Sequence, residues 1–190
     1  MSAEFPGVPV RVSDTDCLVK KTATMKTLTL MRHAKSSWKD AELHDQERPL
    51  LEKGLRRTRN IIDFLQEKDF KPDIILCSPA VRTLETARIM AHAFQVSDEQ
   101  LRVVSQLYPA TAHDYYDLFF DLPDTASHIL VVGHNPAITN FANYFLTEKV
   151  DYIPTSGVVS IAFDTRQWEQ LPLAGHKVLF TAFPKLIKPE

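Results

Sequence analysis

The sequence predicts an α/β fold, a three-layer α/β/α sandwich around a mostly parallel central sheet. Strand-like apolar runs alternate with helical patterns along the chain, the signature of a parallel sheet covered by helices on both faces. Two of those runs, Leu28-Thr29-Leu30-Met31 and Ile129-Leu130-Val131-Val132, suit strands buried on both sides. Each is followed at once by a histidine, in Arg32-His33 and in Gly133-His134. Strand ends are where ligands bind in open α/β sheets.

The elements follow in order. Lys26–Met31 is the first strand. Leu51–Lys68 is a helix, with Leu55, Ile61, Ile62, Phe64 and Leu65 at three- and four-residue spacings. Pro72 ends any helix, and Asp73–Cys77 is the second strand. Pro79 stands near the start of the next helix, residues 80–94, where its missing N–H costs little. Leu101–Val104 is a short strand, and residues 111–121 form a helix carrying Tyr115, Tyr116, Phe119 and Phe120. His128–Val132 is the central strand, and a helix over Asn135–Phe145 begins at the Gly-His turn. Val158–Phe163 and Lys177–Phe183 pair as a hairpin across residues 164–176. Residues 25–190 form one domain. Residues 1–24 have no clear periodicity and are expected to be an N-terminal extension, poorly ordered or packed on the surface.

Composition narrows the function classes. A chain of 190 residues, 44% hydrophobic and 24% charged, fits an ordinary globular domain. A net charge of -2 argues against general nucleic-acid or anionic-membrane binding. Cys17 and Cys77 are too few for a disulfide framework, so a reducing cytoplasm is expected. No apolar run approaches the roughly 20 residues that span a bilayer, and the N-terminus lacks a secretory pattern. The oligomeric state is left open.

Motif spacing excludes several chemistries. The five glycines give neither G-x-G-x-x-G, a Walker A loop nor G-x-S-x-G. H-E-x-x-H is absent, and no Cys/His cluster has zinc spacing. Cys77 and Arg82 stand one residue short of the C-x5-R spacing of cysteine phosphatases, and a buried thiol is the expected role of Cys77. Asp14-Thr15-Asp16 lies in the unpatterned N-terminal segment and carries little weight.

What remains suits phosphoryl transfer. An imidazole can attack phosphorus and form a covalent phospho-histidine, splitting one hard step into two. The transferring group spreads negative charge over its oxygens and needs fixed positive charge nearby. Arg32 adjoins His33, and Arg82 stands early in the helix after Ser78-Pro79; each guanidinium fork can grip two oxygens. His134 precedes a helix, whose N–H groups favour an anion.

These residues resemble a known family. Leu30-Met31-Arg32-His33-Ala34-Lys35-Ser36, then Arg48-Pro49-Leu50 with Gly54, then Ser78-Pro79-Ala80-Val81-Arg82-Thr83 with Thr86-Ala87, then Gly133-His134-Asn135-Pro136 look like the histidine phosphatase (phosphoglycerate mutase-like) superfamily. Arg32-His33-Ala34-Lys35-Ser36 and the short chain resemble its SixA-type branch, named for a phosphohistidine phosphatase. The resemblance implies that His33 is the nucleophile and that Arg32, Arg82 and a cationic His134 form the phosphate pocket. Lys35 and Ser36 contact phosphate or substrate, or Lys35 is simply solvated. Arg48 contacts substrate or makes a structural ion pair. Trp38 lines the entrance or anchors a loop.

One departure bears on substrate. Many superfamily members place a glutamate just after the third strand to protonate the leaving oxygen. Here that stretch reads Val104-Ser105-Gln106-Leu107-Tyr108-Pro109, with no carboxylate. General acid help is typically worth about 10²–10⁴-fold, so alkyl phosphomonoesters should react poorly, whereas an imidazole leaves readily once protonated. Asp45 or Asp114 could supply a proton from a loop. The short segment between Arg82 and His134 leaves no room for a large cap, and an open pocket accepts a side chain on a protein surface. The expected function is therefore metal-independent hydrolysis of protein phosphohistidine, without a cofactor. The alternatives are a phosphatase of small aryl or nucleotide-like phosphomonoesters and a non-catalytic phosphate-binding module.

Overall fold

A computed structural model describes residues 25–37 and 44–187. Its centre is a six-stranded sheet built from β1 (Lys26–Arg32), β2 (Ile74–Cys77), β3 (Leu101–Val103), β4 (His128–Gly133), β5 (Val158–Phe163) and β6 (His176–Ala182), in the order β3-β2-β4-β1-β5-β6. The first four of that order run parallel, and β5 returns antiparallel to both β1 and β6.

Side chains alternate strictly across the sheet, as a period of two requires. Leu28, Leu30, Ile74, Leu76, Ile129 and Val131 enter one core, with Tyr115, Phe119, Phe141 and Trp168. Met31, Ile75, Cys77, Leu130 and Val132 enter the other, with Ile61, Leu65 and Met90. The first core is covered by α3 (Ala112–Asp117) and α4 (Ala137–Asn143), the second by α1 (Glu52–Gln66) and α2 (Val81–Phe94). The fold is a three-layer α/β/α sandwich. A short helix, α5 (Pro184–Ile187), packs on α1. Among the described residues, no helix is long and apolar enough to cross a membrane.

Several boundaries differ from those expected. The aromatic helix is α-helical only over Ala112–Asp117 and tightens to a 3-10 turn at Leu118–Asp121. This places Tyr115 and Phe119 in the core and leaves Phe120 on the surface. The helix expected from Asn135 starts at Ala137, because the residue before a proline is disfavoured in the helical region; the Asn135 side chain binds the Ile153 carbonyl and accepts from the Thr139 hydroxyl. The β5–β6 connection holds a 3-10 turn, Trp168–Leu173, that buries the indole of Trp168.

Lys26, at the start of β1, is fully buried. Its ammonium donates to the carbonyls of Asp124 (2.6 Å) and Ala126 (2.7 Å) and lies over the Trp168 ring. A buried charge persists only with such partners. Here they tie the bottom of the sheet to the 124–126 loop. The residues 1–24 and Trp38 lie outside the described set.

Candidate active site

Three adjacent strands deliver the candidate residues. β1 ends at Arg32-His33, its neighbour β4 ends at Gly133-His134, and β2 leads through Ser78-Pro79 into the first turn of α2, which carries Arg82. All four open on one cavity of about 560 Å³. Lys35, Ser36, Asp45, Arg48, Tyr108 and Asn135 also line it. Of the expected site residues, Arg32, His33, Lys35, Ser36, Arg48, Arg82 and His134 all reach the same cavity, whereas Trp38 is outside the described residues.

His33 is nearly buried, and its Nδ1–H donates to the Ala34 carbonyl at 2.7 Å. A carbonyl can only accept, so the proton sits on Nδ1 and Nε2 keeps its lone pair. Burial, helped by the charges of Arg82, Arg32 and Arg48, pushes the imidazole pKa down to about 4 against the raising effect of the Ala34 bond. His33 is thus neutral at pH 7, oriented, and ringed by three guanidinium groups.

The His134 ring lies 5.1 Å from that of His33, centroid to centroid, tilted by 55°. Its Nε2 sits 2.6 Å from the buried hydroxyl of Ser78. Burial first, then His33 and Arg82, push its pKa down to about 3. The cationic His134 implied by the family resemblance is therefore not the resting form: without a bound anion, this ring is neutral. A phosphoryl dianion between the rings would act in the opposite direction, favouring the charged form.

The arginines are held differently. Arg32 Nη1 donates to the Ile153 carbonyl at 3.0 Å, and its buried Nε has no protein partner. Arg48 donates through Nη2 to Ser36 Oγ (2.9 Å) and through Nε to the Ser37 carbonyl (2.6 Å). Arg48 also pairs with Asp45 at 2.6 Å, so it serves as a structural ion pair and a cavity wall together. Arg82 donates to the Asp45 carboxylate at 2.8 Å and to the Asp45 backbone carbonyl. Lys35 is exposed beside the cavity mouth.

Tyr108 was given no role by the sequence, and Asp45 only that of a possible proton source from a loop. The Tyr108 hydroxyl donates to Asp45 at 2.5 Å, and its ring stands edge-on to His134. Tyr108, then Arg48 and Arg82, hold the Asp45 carboxyl well below the usual carboxylate range, outweighing the effect of burial. As the one carboxylate lining the cavity among the described residues, it is a poor proton donor in this arrangement. Asp114 lines a different cavity and caps α3 through the Thr111 amide and hydroxyl. Cys77 is fully buried, with its thiol pKa pushed up to about 11 by that burial. Among the described residues, no three His, Cys, Asp or Glu side chains converge as metal ligands.

Two glycines permit this assembly. A Cβ on Gly54 would fall 2.4 Å from the Lys35 carbonyl oxygen, so α1 can press directly on the segment after His33. A Cβ on Gly133 would fall 2.0 Å from the Tyr115 hydroxyl. Glycine therefore precedes His134 because a buried tyrosine fills the space of its side chain.

Comparison with known proteins gives the family. The profile of the histidine phosphatase superfamily (branch 1) matches residues 28–106, the stretch holding His33, Arg48 and Arg82. An uncharacterized protein of Mycobacterium tuberculosis is 30% identical over 146 residues, 77% of this chain and 89% of that one. The chain belongs to the histidine phosphatase superfamily. An uncharacterized chloroplastic protein of Arabidopsis thaliana is 26% identical over 176 residues, 88% of this chain and 80% of that one. Among solved structures, a SixA protein from Nakamurella multipartitia superposes with a TM-score of 0.71 at 24% identity, covering 84% of this chain and 96% of that one. The protein histidine phosphatase SixA complexed with tungstate superposes with a TM-score of 0.67 at 19% identity, covering 85% and 99%. These two share the fold of this histidine phosphatase superfamily member, and membership supports phosphatase activity. His134 lies beyond the profile match; geometry brings it to His33.

Proposed function

We propose that this protein hydrolyses phosphohistidine on a protein through a covalent phospho-His33 intermediate, without a metal ion. The observation that carries the reading is the state of His33: neutral, with Nδ1–H committed to Ala34 and Nε2 free among Arg32, Arg48 and Arg82.

The substrate phosphoryl group is gripped by Arg32 and Arg82, and its dianion displaces the Asp45 carboxylate from Arg82. His33 Nε2 gives its lone pair to phosphorus, while the P–N bond to the substrate imidazole breaks. The departing imidazole takes a proton from solvent. The charge that develops on the His33 ring is met by the Ala34 carbonyl at Nδ1. Water then attacks phospho-His33, releasing its proton to solvent, inorganic phosphate to bulk and the neutral His33 ring. His134, held by Ser78, stabilises the group in flight.

The absence of a protonated carboxyl on the cavity wall among the described residues favours a leaving group that needs no protein acid. The fold shared with a tungstate-complexed SixA, tungstate being an oxyanion, adds support. Aryl phosphates are the second substrate class, because Leu107, Tyr108 and Pro109 give the cavity an apolar wall and a phenolate also leaves unaided.

The test compares kcat/KM for a phosphohistidine peptide with that for a sugar phosphate, with His33→Ala as the blank and EDTA added throughout. A phosphohistidine preference of about 10²-fold or more, lost in His33→Ala and kept in EDTA, is expected. Comparable rates on the alkyl ester would overturn the substrate assignment. No His33-dependent turnover would overturn catalysis.

A further inference from the structure

The register of β2 on β4, with Cys77 opposite Val132, carries Ser78 off its strand beside the Gly133-His134 turn. The Ser78 amide donates to the Val132 carbonyl at 3.3 Å, and the residue is fully buried. Its side chain is thus fixed before α2 begins, with Oγ 2.6 Å from His134 Nε2. The surroundings of Ser78 decide which of these two atoms donates. The Ala80 amide, at 3.3 Å, can only donate to Oγ. The Thr83 hydroxyl oxygen lies 3.2 Å away. Thr83 has a single proton and stands 2.6 Å from the Ala80 carbonyl and 2.9 Å from that of Ser78. Carbonyls only accept, so the Thr83 proton goes to one of them, and its oxygen keeps lone pairs for Ser78.

The Ser78 proton therefore has two acceptors, His134 Nε2 at the shorter distance and Thr83 Oγ1 at the longer. In the resting protein it goes to Nε2. A neutral imidazole carries one N–H, and a partner on one nitrogen fixes which. That of His134 is then on Nδ1, which is buried and has no protein partner. The charged or titratable groups around this ring are His33, Arg32, Arg82 and Asp45, with the Tyr108 ring edge-on to it. An oxyanion held by Arg32 and Arg82 offsets their charge and favours the imidazolium. Nε2 then turns from acceptor to donor. Ser78 Oγ becomes its acceptor when the hydroxyl proton rotates onto Thr83 Oγ1, with no heavy atom displaced.

We propose that Ser78, backed by Thr83, is a positioning residue: its hydroxyl sets the Nδ1–H tautomer of resting His134 and keeps Nε2 paired when the ring takes a proton from solvent. In both forms Nδ1–H is the donor offered to a phosphoryl oxygen. The effect on rate rests on the phosphatase reading above, whereas the tautomer does not.

Long-range nitrogen–proton NMR of protein labelled at its histidine rings tests it, with His134→Gln to assign the signals. At neutral pH the resting His134 proton should be on Nδ1, and bound tungstate should bring protons to both nitrogens. Ser78→Ala should move the resting proton to Nε2 in a large share of molecules. It should also lower kcat about tenfold or more on a phosphohistidine peptide and on p-nitrophenyl phosphate, with KM within about threefold. Ser78→Thr, which keeps a hydroxyl, should restore the tautomer and most of the rate. A resting proton on Nε2 in the wild-type protein overturns the proposal and requires no variant to fold. Bound tungstate that leaves Nε2 unprotonated overturns it too. So does a wild-type tautomer in folded Ser78→Ala, because a loss of rate alone would mark a packing role. An altered tautomer with unchanged kcat, or a folded Ser78→Thr no better than Ser78→Ala, likewise overturns it. If no His33-dependent turnover is found, the functional reading fails, and the spectra with and without tungstate decide this one separately.

Discussion

Asp45 Oδ2 lies 2.8 Å from Arg82 Nη2, so the guanidinium that would hold substrate phosphate already holds a carboxylate. Asp45 is about half exposed, which limits the pair to about 1 kcal/mol. Asp45→Asn should therefore tighten inhibition by inorganic phosphate about fivefold with kcat on phosphohistidine little changed. Product-inhibition kinetics measure this. A loss of about 10²-fold on alkyl phosphates alone would instead make Asp45 the proton donor.

The acid limb of the pH–rate profile should sit far below that of an ordinary histidine. His33 attacks only when neutral, and its pKa in the free protein is about 4. Since kcat/KM reports groups of the free enzyme, it should hold nearly level from pH 7 to about 5 and fall near pH 4. Circular dichroism at each pH separates titration from unfolding. A midpoint near 6.5 would show that His33 is not the buried, neutral group described.

Stability should decline over a related window for a different reason. His128 is pushed down to about 4 by burial, against the raising effect of Asp73, and its Nε2 meets the Thr29 hydroxyl at 2.9 Å. A folded pKa below the unfolded one means that protons favour the unfolded chain. The contribution is full above about pH 6.5 and is lost as pH falls toward 4, on the order of 3 kcal/mol for such a shift. Denaturant titrations of His128→Gln should show a shallower pH slope there by about one proton. An unaltered slope would contradict the assignment.

Gly133→Ala should destabilise the protein by roughly 1–3 kcal/mol, the usual cost of overpacking, because the new methyl would meet the Tyr115 hydroxyl. Tyr115→Phe removes that hydroxyl and should recover most of the loss in the double variant. Thermal melts of the four members of this cycle decide it. Strictly additive effects would show that the two positions do not interact.

The sheet was legible because the middles of β1, β2 and β4 are buried on both faces, so Ile74–Cys77, Ile129–Val132 and all but Thr29 of Leu28–Met31 are apolar, a pattern unlike a solvated segment. His33, Arg82 and His134 were legible because each stands just past a strand end. Asp45 and Tyr108 were not. They lie 63 residues apart in stretches without periodicity and acquire their roles only when the chain closes on Arg82. Ser78 stood inside a recognisable motif, but its contact with His134 depends on β2 and β4 being neighbours. The start of α4 differs because Asn135 precedes Pro136, and the residue before a proline is disfavoured in the helical region; its side chain instead binds Ile153 and Thr139.

The order β2-β4-β1 places the reacting groups at the ends of strands buried on both faces, while much of the cavity wall comes from the 104–111 segment and Thr155. Chemistry and recognition are thereby separable traits. Descendants of such a scaffold can exchange their rims, and with them their clientele, without disturbing the bond-breaking apparatus beneath. A designer seeking a new target would leave the three strand ends untouched and rewrite only the rim.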